Sequence, residues 1–79
     1  MADILSPLPG IFYPKPDPDS GPFVLPGDRV RKGQPIGLVE VMKQFNEIPS
    51  DVDGTVVSVN VAEGDTVMVG DVLVVISED

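Results

Sequence analysis

A chain of 79 residues leaves room for one domain with a modest core. It has no cysteine and no histidine, which excludes a disulfide framework, a thiolate nucleophile, a cysteine zinc site and the usual general base. Thirteen acidic residues against five basic ones give a net charge of −8, a surface that repels phosphate backbones and argues against nucleic-acid binding.

Residues 1–7 lack the basic start and apolar run of a signal peptide. No stretch approaches the roughly 20 apolar residues of a membrane span. These features predict a cytoplasmic protein without membrane association. Beyond them, valine and isoleucine outnumber leucine, and glycine and proline punctuate the apolar runs every few residues. Such short β-branched runs between turn signals predict an all-β fold.

In chain order, Gly10-Ile11-Phe12 opens a first β segment. Four prolines then fall within residues 14–22, Pro14-Lys15-Pro16-Asp17-Pro18-Asp19-Ser20-Gly21-Pro22. Proline lacks a ladder donor, so this stretch predicts a stiff, protruding loop. Strands are predicted over residues 35–41, 44–48, 56–61 and 72–76.

The segment Gly27-Asp28-Arg29-Val30-Arg31-Lys32-Gly33 recurs 37 positions later as Gly64-Asp65-Thr66-Val67-Met68-Val69-Gly70. Ile36, Leu38 and Val39 then align with Leu73, Val75 and Ile76. Upstream, Gly10-Ile11-Phe12 matches Gly54-Thr55-Val56 at an offset of 44, so the first half carries seven extra residues, within the proline-rich loop. Two like halves predict a flattened barrel or sandwich of two four-stranded sheets with pseudo-twofold symmetry, each half covering the other. Its predicted core is Ile36, Leu38, Val56, Val67, Leu73, Val75 and Ile76.

Between the halves lies a predicted hairpin, residues 38–48. A two-residue turn at Met42-Lys43 sets Val41 opposite Gln44, Glu40 opposite Phe45 and Val39 opposite Asn46. Lys43 then projects from the tip. Neither turn residue is the glycine or asparagine that such turns favour, and a local rule broken at one spot often marks a functional site. An exposed lysine usually only keeps a surface soluble. This one sits at the centre of the repeat, follows methionine, and is one of three lysines in the chain.

Glu40-Val41-Met42-Lys43 resembles the acceptor motif of the biotinyl/lipoyl attachment domains. Ser6-Pro7-Leu8-Pro9-Gly10-Ile11-Phe12-Tyr13, the loop at Pro16-Asp17-Pro18-Asp19 and Phe23 resemble the family's biotin carriers, so the likeness spans nearly residues 1–79. In those carriers the inserted loop is a thumb that leans toward biotin. The motif more often has alanine at position 41 and methionine at position 44, here Val41 and Gln44. The resemblance implies a non-catalytic carrier with biotin covalently attached to Lys43 by a biotin protein ligase. It implies that a biotin carboxylase loads a carboxyl group, which a carboxyltransferase moves to an acyl-CoA, as in acetyl-CoA carboxylation for fatty acid synthesis. The alternatives are a carrier for another biotin-dependent carboxylase and a lipoyl carrier. Lipoyl domains usually place aspartate before their lysine, where this chain has Met42. An unmodified adaptor of similar fold usually carries a long helical insertion between its halves, where this chain has only the hairpin turn.

Other acidic residues tempt a site reading. Asp51-Val52-Asp53-Gly54 lacks the downstream ligands of a calcium loop and reads as a turn. Glu40 and Glu47 lie on an exposed hairpin without a cleft, and Glu78-Asp79 reads as solubilising charge.

Overall fold

The computed structural model describes residues 1–79 and contains eight strands and no helix. The strands are β1 (Ala2–Leu5), β2 (Gly10–Tyr13), β3 (Arg29–Val30), β4 (Pro35–Val41), β5 (Gln44–Pro49), β6 (Gly54–Val59), β7 (Thr66–Val67) and β8 (Val72–Glu78). They form two four-stranded antiparallel sheets, ordered β1-β8-β6-β3 and β5-β4-β2-β7. The sheets pack face to face as a flattened sandwich and do not close into one barrel. No helix is long and apolar enough to cross a membrane.

The sequence repeat is a structural one. Its four glycines, at positions 27, 33, 64 and 70, all have φ between 85° and 95°, a left-handed backbone that side-chain-bearing residues rarely adopt. The aspartates that follow Gly27 and Gly64 close the same turn twice. Asp28 Oδ2 accepts the Leu25 amide at 2.9 Å, and Asp65 Oδ2 accepts the Ala62 amide at 2.8 Å. Ser6 and Ser50 form another matched pair, each buried and each donating its hydroxyl at 2.6 Å to the carbonyl two residues on. Gly10 and Gly54 are matched as well, each where the neighbouring strand of its own sheet comes close. A Cβ would lie 2.3 Å from the Glu40 carbonyl oxygen at Gly10 and 2.2 Å from the Ser77 carbonyl oxygen at Gly54.

Alternation along the strands sends one side of each sheet inward. The core gathers Phe12, Ile36, Val39, Val56, Val67, Leu73, Val74 and Ile76, with Ile4, Val24, Val30 and Ile48 around them. One predicted core residue lies elsewhere, and a second is buried as predicted but outside the main cluster. Val75 is only half-buried and faces outward, opposite Asp3 and Ser58. Leu38 is buried at 7 % exposure, yet it stands outside the core cluster, on the outer face of its own sheet. These two residues are repeat mates, and both face outward. What separates them is the proline-rich loop, which covers Leu38 and has no counterpart over Val75.

Candidate functional site

The β4–β5 hairpin has the expected register: Val41 pairs Gln44, Glu40 pairs Phe45 and Val39 pairs Asn46. Two residues remain for the turn, Met42 with φ 50° and Lys43 with φ 68°. Both occupy the left-handed region, as a type I′ turn demands of its central pair. This backbone suits asparagine and glycine, so the flanking sheet holds two ordinary side chains in a disfavoured conformation. Met42 is 92 % exposed and Lys43 is exposed beside it. The single salt bridge of the molecule joins Arg29 to Asp79, so the Lys43 amine has no carboxylate partner.

On the outer face of the same sheet, Tyr13 pairs Leu38 across the β2–β4 ladder and Ile11 pairs Glu40. Tyr13 and Glu40 are therefore diagonal neighbours, close enough for long side chains to meet. The Tyr13 hydroxyl donates to Glu40 Oε1 at 2.9 Å, and its ring lies 5.6 Å from that of Phe45, tilted by 58°. The hydrogen bond to Glu40 raises the phenol above its ordinary value, helped by desolvation and by the charges of Glu40 and Glu63. This cluster is the part of the site that sequence reading missed. The signal was available, since hairpin register and the alternation of β2 put Tyr13, Leu38, Glu40 and Phe45 on one face.

The thumb loop stands over that face. Its base closes where the Phe23 amide donates to the Pro14 carbonyl at 2.8 Å. Its tip is held by Asp17, whose two carboxylate oxygens accept the Asp19 amide at 3.0 Å and the Ser20 hydroxyl at 2.9 Å. Beneath it runs a groove of about 310 Å³, with Tyr13, Leu38 and Phe45 on one wall and Lys15, Pro16 and Pro18 on the other. Asp17 and Glu63 also border it. Lys43 does not line this groove. It lies two residues from Phe45, or about 7 Å along the strand.

Of the other acidic residues singled out from the sequence, Asp53 and Asp79 have structural tasks. Asp53 Oδ1 accepts the Lys32 amide at 2.7 Å, and Glu47 pairs across the sheet with Leu38 rather than with Glu40. Asp79, expected only to solubilise, pairs with Arg29 through both carboxylate oxygens at 2.6 and 2.5 Å.

A biotin/lipoyl family profile, described as "Biotin-requiring enzyme", matches residues 2–76. The chain belongs to the biotin/lipoyl family. Similar relatives are named "Biotin carboxyl carrier protein of acetyl-CoA carboxylase". The one from Nostoc sp. is 43 % identical over 67 residues, covering 85 % of this chain and 37 % of the relative. That of Cyanidium caldarium is 45 % identical over 73 residues, covering 92 % and 48 %. A chloroplastic form from Arabidopsis thaliana is 45 % identical over 64 residues, covering 81 % and 23 %. The chain thus spans about a quarter to a half of the length of these curated relatives.

Proposed function

We propose that this chain is the biotin-bearing segment of an acetyl-CoA carboxylase carrier, with biotin joined to Lys43. The observation that carries the reading is the β4–β5 turn, where Met42 and Lys43 hold left-handed backbone and the lysine amine projects without an ionic partner. Membership of the biotin/lipoyl family and the names of the relatives support it. Met42 before the lysine favours biotin over lipoate, as does the likeness to carriers named for biotin.

The residues present fit the group. An exposed primary amine is what a biotin protein ligase needs to form an amide with biotin's carboxyl. The amide replaces the ammonium charge with a neutral arm, as acetylation would. With the lysine stem the arm counts about ten bonds and reaches roughly 12–15 Å. Biotin bound there supplies a ureido nitrogen that accepts and gives up a carboxyl group. The chain itself holds the amine on a rigid hairpin and brings the tethered ring to a biotin carboxylase and then a carboxyltransferase. Its contribution is effective concentration and positioning, a task that requires no histidine or cysteine.

The transfer test uses the biotinylated chain, a biotin carboxylase, MgATP and labelled bicarbonate. Label should appear on the chain and move to acetyl-CoA when a carboxyltransferase is added. Lys43→Arg should carry none, and label on Lys43→Arg would contradict the reading.

A further inference from the structure

The repeat gives the molecule two matched ends with different chemistry. In the sheet ordered β5-β4-β2-β7, Phe45, Glu40, Ile11 and Thr66 lie in one row. Two residues further in the same direction come Lys43, Met42, Pro9 and Met68. Two strand spacings, or about 10 Å, separate Met42 from Met68. Leu8 and Met42 line one open groove between them. Met42, Met68 and Val69 are three of the four most exposed large apolar side chains, at 92 %, 60 % and 65 %. The turn that carries Met68 and Val69 is firmly tied. The Gly70 amide donates to the Ser6 carbonyl at 2.9 Å, the Ser6 amide donates to the Asp71 carbonyl at 2.8 Å, and Asp71 Oδ2 accepts the Met68 amide at 2.8 Å. At the opposite end the repeat has Arg31 and Lys32 in place of Met68 and Val69, and Asp79 in place of Met42. A symmetric fold thus bears an apolar rim at one end only, around the acceptor turn. Single exposed apolar side chains are ordinary, whereas a contiguous set marks a surface that another molecule covers.

We propose that the rim of Leu8, Met42, Met68 and Val69 is the surface through which the biotinylated chain docks on a biotin carboxylase. The proposal rests on biotin being attached at Lys43. Lys43 is the only basic residue among residues 7–10, 41–44 and 67–71, and amide formation removes its charge. The rim is therefore complete as an apolar surface only after the ligase has finished, which favours an enzyme that acts on the attached ring. A carboxylase meets that ring while it is neutral, so attraction comes from the carrier's own surface. A carboxyltransferase meets a ring that already bears a negative charge. With an arm of roughly 12–15 Å, an enzyme that takes the ring deep into its site brings the mouth of that site against this end. The matching surface is an apolar patch ringed by basic side chains, because loss of the lysine charge takes the chain from −8 to −9. A rim of four side chains makes a small contact, suited to a carrier that must leave for its next partner.

The experiment gives one turn the side chains of the other. Gly33 and Gly70 share the same left-handed backbone, at φ 92° and 91°, so the fold accepts either pair of residues before them. Met68→Arg with Val69→Lys, shown by intact mass to be fully biotinylated, is compared with the parent chain as substrate of a biotin carboxylase with MgATP and labelled bicarbonate. The KM for the chain should rise about fivefold or more, as expected when two apolar side chains leave an interface, while kcat stays within about twofold. Met68→Gln with Val69→Thr adds no charge and should raise KM in the same direction. Arg31→Met with Lys32→Val, at the far end, should leave KM unchanged. A KM within about twofold of the parent's for either rim variant, in a chain that still melts cooperatively, overturns the proposal. So does slower biotin uptake with an unchanged carboxylase KM, which would assign the rim to the ligase. A parent chain whose intact mass shows no biotin overturns the reading of Lys43, and this one with it.

Discussion

Met42 and Lys43 set stability against the proposed biotin attachment at a single turn. A left-handed backbone costs a side-chain-bearing residue about 1–2 kcal/mol, which glycine escapes. Lys43→Gly should therefore raise the unfolding free energy by about 1 kcal/mol in denaturant melts while abolishing biotin uptake. An unchanged or lowered stability would show that the turn is not strained. Tyr13 offers a second probe, since it is the chain's only tyrosine. Its ultraviolet titration should have a midpoint above the ordinary 10.0, because ionisation breaks the bond to Glu40 and adds charge beside carboxylates. Glu40→Gln should bring the midpoint down. With its folded value raised, the phenol's contribution to stability is complete below pH about 10 and fades as pH rises through the folded value. The lone lysine after methionine was readable from sequence. The Tyr13–Glu40 bond was not, because a diagonal contact depends on side-chain reach as well as on register.

Among the elements, the hairpin was the most legible. Its register follows from apolar alternation and a two-residue turn, and Val41, Glu40 and Val39 face the partners that pattern assigns. The strand over residues 72–76 was readable too, but the inner and outer sides of β8 were not. Leu73, Val74 and Ile76 all face the core, because the shift of register opposite Ile4/Leu5 of β1 leaves Leu73 as an extra residue in β8 and breaks simple alternation there. Val75 was misplaced for that reason. Leu73→Ala should cost about 2–5 kcal/mol by opening a cavity, whereas Val75→Thr should fall within about 0.5 kcal/mol of the parent. Chemical denaturation of both variants decides the matter, and equal losses would contradict the assignment of faces.

Across the whole molecule, the repeat foretold the two-sheet architecture, because matched glycines and aspartates recur where the same turns are needed. The thumb is the departure from that symmetry, and its cover over Leu38 could not be read from a repeat that treats Leu38 and Val75 alike. Deleting residues 15–21 joins Pro14 to Pro22 with the spacing that Ser58 to Val59 has in the second half. That variant should still unfold cooperatively, and loss of its cooperative melt would show the thumb to be part of the fold's foundation. The proposed function depends on one covalent bond, between biotin and Lys43. Intact-mass and peptide mass spectrometry after co-expression with a biotin protein ligase tests it most directly. A mass gain of one biotinyl group, located on Lys43 and absent from Lys43→Arg, is the predicted result. A chain that gains no mass, or that carries biotin on Lys15 or Lys32, would contradict it.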